Sequence, residues 1–267
     1  MSSVPRLAFA TVRGLSEPRL KALLNGRPDE ALPIIAAAAR YGLVEAQLLL
    51  GQCLLEGRGT SVDAAAAVRW FSAAAEAGCA DGMNMLGQCH ELGRGVEQSD
   101  ALAAGWYARA VEQNLDWAQF NLANLVLRGR GVTRDLGKAM ALYRAAADQG
   151  HAKSMNMIGR LFEEGWGVPR DLRSAFHWYQ RAADGGDARG QYNLASLLFA
   201  RGCVSEATAW LERAVRDGTQ DFLFAVHAAL LASEYHGFRV LGAFAAARLG
   251  TSARKFSRQE KEAYQEV

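Results

Sequence analysis

Two side-chain chemistries recur along this chain at a fixed interval. Asn84, Phe120, Asn156 and Tyr192 stand 36 residues apart. Beside them run Met85, Asn121, Met157 and Asn193, and one turn further Gln88, Asn124 and Arg160. A carboxamide carries both donor and acceptor, so such rows can bond a peptide backbone without demanding its sequence. Interleaved methionine and aromatic groups add adaptable apolar contact. The chemistry of this set is recognition of an extended segment or a helix.

The residues that could make or break bonds are scattered. His90, His151, His177, His227 and His236 show no metal-ligand spacing, and no serine lies in a nucleophile elbow. Cys53, Cys79, Cys89 and Cys203 form no CxxC, so neither a redox motif nor a zinc knuckle is indicated. Cys53 and Cys89 share a row in successive repeats. That spacing implies roughly 8–10 Å between equivalent atoms, beyond the roughly 7 Å limit for a disulfide. No catalytic residue, cofactor or metal is expected, and a hydrolase-like enzyme ranks last among the readings. The alternative reading is RNA binding. Arg58, Arg94 and Arg130 recur in loops, and Arg248, Arg254, Lys255, Arg258 and Lys261 make a basic end. Glu260 and Glu262 dilute that end, and a net charge of +2 is too balanced to imply nucleic acid.

The elements that must position these rows follow from the same period. Trp70, Trp106, Leu142 and Trp178 are 36 residues apart, as are Gly57, Gly93, Gly129 and Gly165. Self-similarity at this length predicts stacked helix pairs. In the first full unit the pattern predicts helices over Leu43–Leu55 and Asp63–Ala77. Two rows are always small: Ala46, Gly82, Ala118, Ser154, Gly190, and Gly51, Gly87, Ala123, Gly159, Ala195. Glycine inside a helix costs up to ~1 kcal/mol against alanine, so close helix packing is the expected return. On the second helices an aromatic pair recurs: Trp70–Phe71, Trp106–Tyr107, Leu142–Tyr143 and Trp178–Tyr179. Spacing from the flanking alanines places the first member of each pair on the core stripe. Asp63, Ser99, Asp135 and Asp171 read as N-caps. Gly78, Asn114, Gly150, Gly186 and Gly218 read as left-handed residues after the second helix.

From Trp178 the interval shortens to 32, and Thr219–Leu249 reads as a divergent closing pair. Residues 1–13 are expected to be loose, 14–41 a degenerate N-terminal cap, 42–218 the repeats, 219–250 a C-terminal capping pair and 251–267 a polar tail. Within that tail, Ser257 to Glu266 could form a polar helix. A 72-residue period lies beneath the first: Met83–Gly87 returns as Met155–Gly159, and Gln119–Asn124 as Gln191–Ser196.

With these rows the chain resembles the Sel1-like repeat family, a branch of the tetratricopeptide-like helical repeats. Leu122, Gly129-Arg130-Gly131-Val132, Asp135, Lys138-Ala139, Tyr143 and Ala145-Ala146 carry its pattern. Gly165-Trp166-Gly167-Val168, Asp171, Ala175 and Trp178-Tyr179 repeat it. Ala123 stands for Gly, Leu142 for Trp and Thr60 for Val. The resemblance implies an all-α, right-handed α-solenoid of antiparallel pairs, about five repeats plus degenerate caps. It also implies a non-enzymatic scaffold whose first helices line a concave face. That face would carry Asn84, Met85, Gln88, Phe120, Asn121, Asn124, Asn156, Met157, Arg160, Tyr192 and Asn193 against a protein or peptide partner. The row of Leu48, Asn84, Phe120, Asn156 and Tyr192 lacks the Lys or Arg of a carboxylate clamp. No membrane span or signal peptide is read, so the expectation is a cytoplasmic monomer without a membrane partner.

Overall fold

The computed structural model describes residues 28–250 together with Pro18, Ala22 and Asn25, which are helical. The expectations for residues 1–13 and 251–267, with Arg254, Lys255, Arg258 and Lys261, lie outside the described residues. The described chain runs through α1 (Pro28–Arg40), α2 (Val44–Glu56), α3 (Ala64–Glu76), α4 (Ala80–Leu92), α5 (Asp100–Val111), α6 (Asp116–Arg128) and α7 (Leu136–Asp148). It continues through α8 (Ala152–Glu164), α9 (Leu172–Asp184), α10 (Ala188–Ala200), α11 (Val204–Asp217), α12 (Gln220–Leu231) and α13 (His236–Arg248). No strand occurs among the described residues. The architecture is an all-α solenoid of helix pairs, each pair being one repeat. The even-numbered helices from α2 onward are the first helices of their pairs.

The chain divides into two compact units, Met1–Leu142 and Tyr143–Val267, with the division inside α7. In the first unit successive helices pack from α1 through α6. In the second, successive helices pack from α8 to α11, α12 packs on α13, and α11 packs on α13. Tyr179, Leu194, Leu211, Leu223 and Phe238 share one buried cluster there.

The helix ends follow local chemistry. Asp63 accepts from the Ala66 N–H at 2.8 Å, Ser99 from Leu102 at 3.3 Å, Asp135 from Lys138 at 2.9 Å and Asp171 from Arg173 at 2.9 Å. Each satisfies an orphan donor at a helix start. The first glycine of each GxG ends the first helix in the left-handed region, as Gly57 does at φ 73° and Gly129 at φ 69°. The second glycine serves a different need. A Cβ on Gly131 would run into the backbone of Asp100 and Ala101, so the loop can lie on the preceding repeat only without one. Asn114 adopts φ 58°, as its place in the glycine row requires.

Two expectations need correction. Gly218 is extended, at φ −65° and ψ 146°, and does not make a left-handed turn. A Cβ there would collide with the Phe222 ring, so contact selects this glycine and backbone conformation does not. The core member of each aromatic pair is the second, not the first. Phe71, Tyr107, Tyr143 and Tyr179 are fully buried, whereas Trp70, Trp106 and Trp178 are half-buried. The reason lies across the pair: an added Cβ on Gly51 would meet the Phe71 ring, on Gly87 the Tyr107 ring, and on Gly159 the Tyr179 ring. The first-helix glycine makes the slot that the second aromatic fills. On α5 and α9 the neighbouring tryptophan lies beneath an arginine three residues on. Arg109 lies 4.5 Å from the Trp106 ring centre and Arg181 4.4 Å from that of Trp178, within cation–π range.

Candidate functional site

The candidate residues sit on the first helices, in one set per unit. Asn84, Met85 and Gln88 are on α4, and Phe120, Asn121 and Asn124 on α6. In the second unit Asn156, Met157 and Arg160 are on α8, and Tyr192 and Asn193 on α10. Their exposure separates them. Asn84 and Asn156 are buried, at 6% and 5%, while the other nine are half-buried.

The buried asparagines have structural partners. Asn121 Nδ2 donates to Asn84 Oδ1 at 2.9 Å, and Asn193 Nδ2 to Asn156 Oδ1 at 2.8 Å. Each bond joins the first helices of neighbouring repeats. A buried amide without such a partner would carry a desolvation penalty of about 1–3 kcal/mol. Asn84 and Asn156 are therefore ties between repeats and are not open to a ligand. Asn121 and Asn193 each give an N–H to that tie, so they are not the purely external donors their rows implied. The 72-residue period carried the signal: asparagines at 84 and 121 return together at 156 and 193.

What remains outward is apolar and amide-bearing. In the first unit Trp117, 43% exposed, meets the edge of Phe120 with ring centres 6.4 Å apart. Between α2 and α4 lies a cleft of about 350 Å³ lined by Val44, Glu45, Leu48, Gln52, Asp81 and Met85. In the second unit Arg160 stands 5.6 Å from the Trp166 ring centre. Tyr192 packs edge-on against Phe222 at 6.2 Å. Phe224, 69% exposed, continues the Tyr192 row once the 32-residue interval is applied. Sequence reading omitted Trp117, Phe224, Glu45 and Asp81, and the shortened interval was the available clue to Phe224.

The loop arginines do other work. Arg130 grips Asp100 through Nε at 2.9 Å and Nη2 at 2.6 Å, and gives Nη1 to Glu91 at 3.1 Å. Glu91 in turn accepts from the Tyr107 hydroxyl at 2.8 Å. Arg58 donates to Asn25 at 3.3 Å. Arg130 thus ties its loop to the preceding repeat, and a continuous phosphate-tracking ridge of loop arginines is lost. Its guanidinium is held more firmly charged by the Asp100 hydrogen bond. Burial first, then Glu91, pushes the Tyr107 hydroxyl well above its ordinary pKa, and Tyr179 is raised by burial and Glu163. The four cysteines are free thiols, and burial pushes Cys89 up to about 11, which makes it a poor nucleophile. Among the described residues no group of His, Cys, Asp and Glu could hold a metal ion, and no helix is long and apolar enough to cross a membrane.

Tandem helix pairs, closed by glycine-seated aromatics and presenting amides and aromatics outward, define the class of α-helical repeat scaffolds. Residues 44–79, 80–115, 118–151 and 152–187 each match the Sel1 repeat, and the chain belongs to the Sel1 repeat family. Solenoids of this kind are typical of non-enzymatic protein–protein interaction scaffolds. A Sel1 repeat protein from Oxalobacter formigenes has a similar structure, with a TM-score of 0.72 and 25% identity over 94% of this chain and 98% of that one. A protective antigen of uropathogenic Escherichia coli strains, displaying an SLR fold, has a TM-score of 0.66 and 24% identity over 96% of this chain and 60% of that one. An immunity protein from Pseudomonas aeruginosa shares the fold at a TM-score of 0.58 and 16% identity, over 82% of this chain and 83% of that one. No curated protein matches the chain in sequence.

Proposed function

We propose that the protein is a monomeric cytoplasmic adaptor that holds a polypeptide segment on its first helices. In the first unit Met85, Gln88, Phe120, Asn121 and Asn124 would make the contacts. In the second, Met157, Arg160, Tyr192, Asn193 and Phe224 would do so. The observation that carries this reading is the outward placement of large apolar groups on these helices. Phe224 is 69% and Trp117 43% exposed, and Phe120 and Tyr192 in the same rows are half-buried beside exposed or half-buried amides. Open aromatic side chains beside amides are the composition of a recognition surface. The free thiols favour a reducing compartment.

Photo-crosslinking residues placed at Phe120, at Tyr192 and, as a control, at Arg69 on α3 test this in the native cell. The reading requires one polypeptide to be captured from a first-helix position and not from Arg69. Equal capture from all three positions, or none from Phe120 and Tyr192, contradicts it.

A further inference from the structure

We propose that the outer face of α12 takes an amphipathic helix of the bound polypeptide, stacked where a further repeat would place its first helix. This rests on reading the first helices as docking surfaces, and it names the form and chemistry of what docks on the last of them. Three members of one first-helix row meet the next repeat. Asn84 accepts from Asn121 at 2.9 Å, Asn156 accepts from Asn193 at 2.8 Å, and Tyr192 packs on Phe222 with ring centres 6.2 Å apart. Phe224 is the next member of that row, 32 residues after Tyr192. It is 69% exposed, and its ring contact is with His227 of its own helix, 5.7 Å between centres. The side chain that would stack on a following repeat is therefore present, and no described helix covers it.

The composition of α12 suits a helix covered on both sides. Phe222, Val226 and Leu230 are spaced by four and buried in the cluster shared with α10 and α11. Phe224, Ala228 and the C-cap Ala232 repeat that spacing two residues on, about 200° round the helix, and are exposed. A terminal repeat ordinarily turns a polar face to water. The exposed residues of α11 include Glu206, Glu212, Arg213 and Arg216, but from Phe222 to Ser233 there is no Asp, Glu, Lys or Arg. The surface that fits this face is therefore apolar and uncharged, and the alanines let a helix approach closely. The chain's own end does not supply it. Continued in the 32-residue register, residues 251–267 would set Lys255, Arg258 and Glu262 at the places of buried Leu223, Val226 and Leu230. Burying three such charges without partners is prohibitive, so the covering helix comes from another polypeptide. A glycine stands across from the rings of Phe71, Tyr107 and Tyr179, and a small residue on the incoming helix would seat Phe224 in the same way.

The test uses the full chain and two labelled peptides of equal composition, each held helical by a side-chain staple. In the first, Leu and Ala share one face and Lys and Glu the other. In the second, the same residues are ordered so that no face is apolar. We expect the first peptide to bind with little change as salt rises, because the face is uncharged, and the second to bind at least about tenfold less well. Phe224→Asp should lower affinity for the first peptide by at least about tenfold with an unchanged melting temperature. If that variant melts early, Ala228→Asp replaces it. Equal binding of the two peptides, no binding of either, or unchanged affinity in the variant overturns the inference. So does a dimer in sedimentation that Phe224→Asp dissociates, which would put a second copy on the face. Deletion after Gly250 that raises affinity about tenfold would put residues 251–267 there and overturns it equally. If neither peptide binds while a crosslinker at Phe120 or Tyr192 still captures one polypeptide, this inference alone falls. No capture from either position removes the broader docking reading as well.

Discussion

The ring of Tyr179 fills the space that a side chain on Gly159 would occupy, with its Cδ1 2.5 Å from where a Cβ would stand. The same relation holds between Tyr107 and Gly87, at 2.7 Å. Three helix pairs, α2/α3, α4/α5 and α8/α9, are closed in this way by a glycine on one helix and an aromatic on the other. Gly159→Ala should therefore destabilise the protein by about 1–3 kcal/mol through overpacking, although alanine is the better helix former. Tyr179→Ala should cost about 3–5 kcal/mol as a core deletion. Trp178→Ala should cost clearly less, because its half-buried ring adds mainly a cation–π contact of about 0.5–1 kcal/mol with Arg181. Denaturant melts of the three variants check the ranking, and a Trp178 loss equal to that of Tyr179 would reverse it.

The asparagine ties should behave as coupled pairs. Asn193→Ala leaves Asn156 buried without its donor and should cost about 1–3 kcal/mol. A double-mutant cycle on Asn156 and Asn193 should return a coupling of about 0.5–3 kcal/mol. Additive losses would mean that the bond contributes nothing.

Arg130→Lys should destabilise the first unit, because a lysine cannot reproduce the two-point grip on Asp100 and also reach Glu91. The site is about one-third exposed, so the expected loss is no more than about 1–2 kcal/mol. Arg94→Lys is the surface control, with an expected change within about 0.5 kcal/mol. Thermal melts of both variants separate the roles.

Alkaline titration gives a signed prediction. Tyr107 and Tyr179 have pKa values raised from an ordinary 10.0. Below about pH 10 both folded and unfolded chains hold these protons. Above it the unfolded chain releases them and the folded chain does not, so the folded state binds more protons and stability falls as pH rises. Tyrosinate absorbance from these two rings should appear only as helical ellipticity is lost. Titration of every tyrosine with ellipticity intact would contradict their burial against Glu91 and Glu163.

The helices and their ends were legible because each rests on local chemistry. An aspartate or serine starts a second helix, a glycine ends a first helix, and Asn114 takes the one left-handed place without glycine in its row. The choice between Trp178 and Tyr179 was not legible from one helix. Both lie three or four residues from flanking alanines, and only the slot at Gly159 on the partner helix decides. The asparagine rows misled for a related reason. Asn84 and Asn121 lie in different rows of different repeats, and stacking brings them to 2.9 Å. Gly218 looked like a left-handed turn by position, whereas the Phe222 ring sets its need for glycine.

The central claim is that the first helices carry recognition chemistry beyond what packing uses. Its most direct test is the affinity of a partner captured by crosslinking for the wild type and for the Phe120→Ser/Tyr192→Ser variant, with both proteins melting alike. The account predicts at least about a tenfold weaker complex, roughly 1.4 kcal/mol. An unchanged dissociation constant in a folded variant would contradict it.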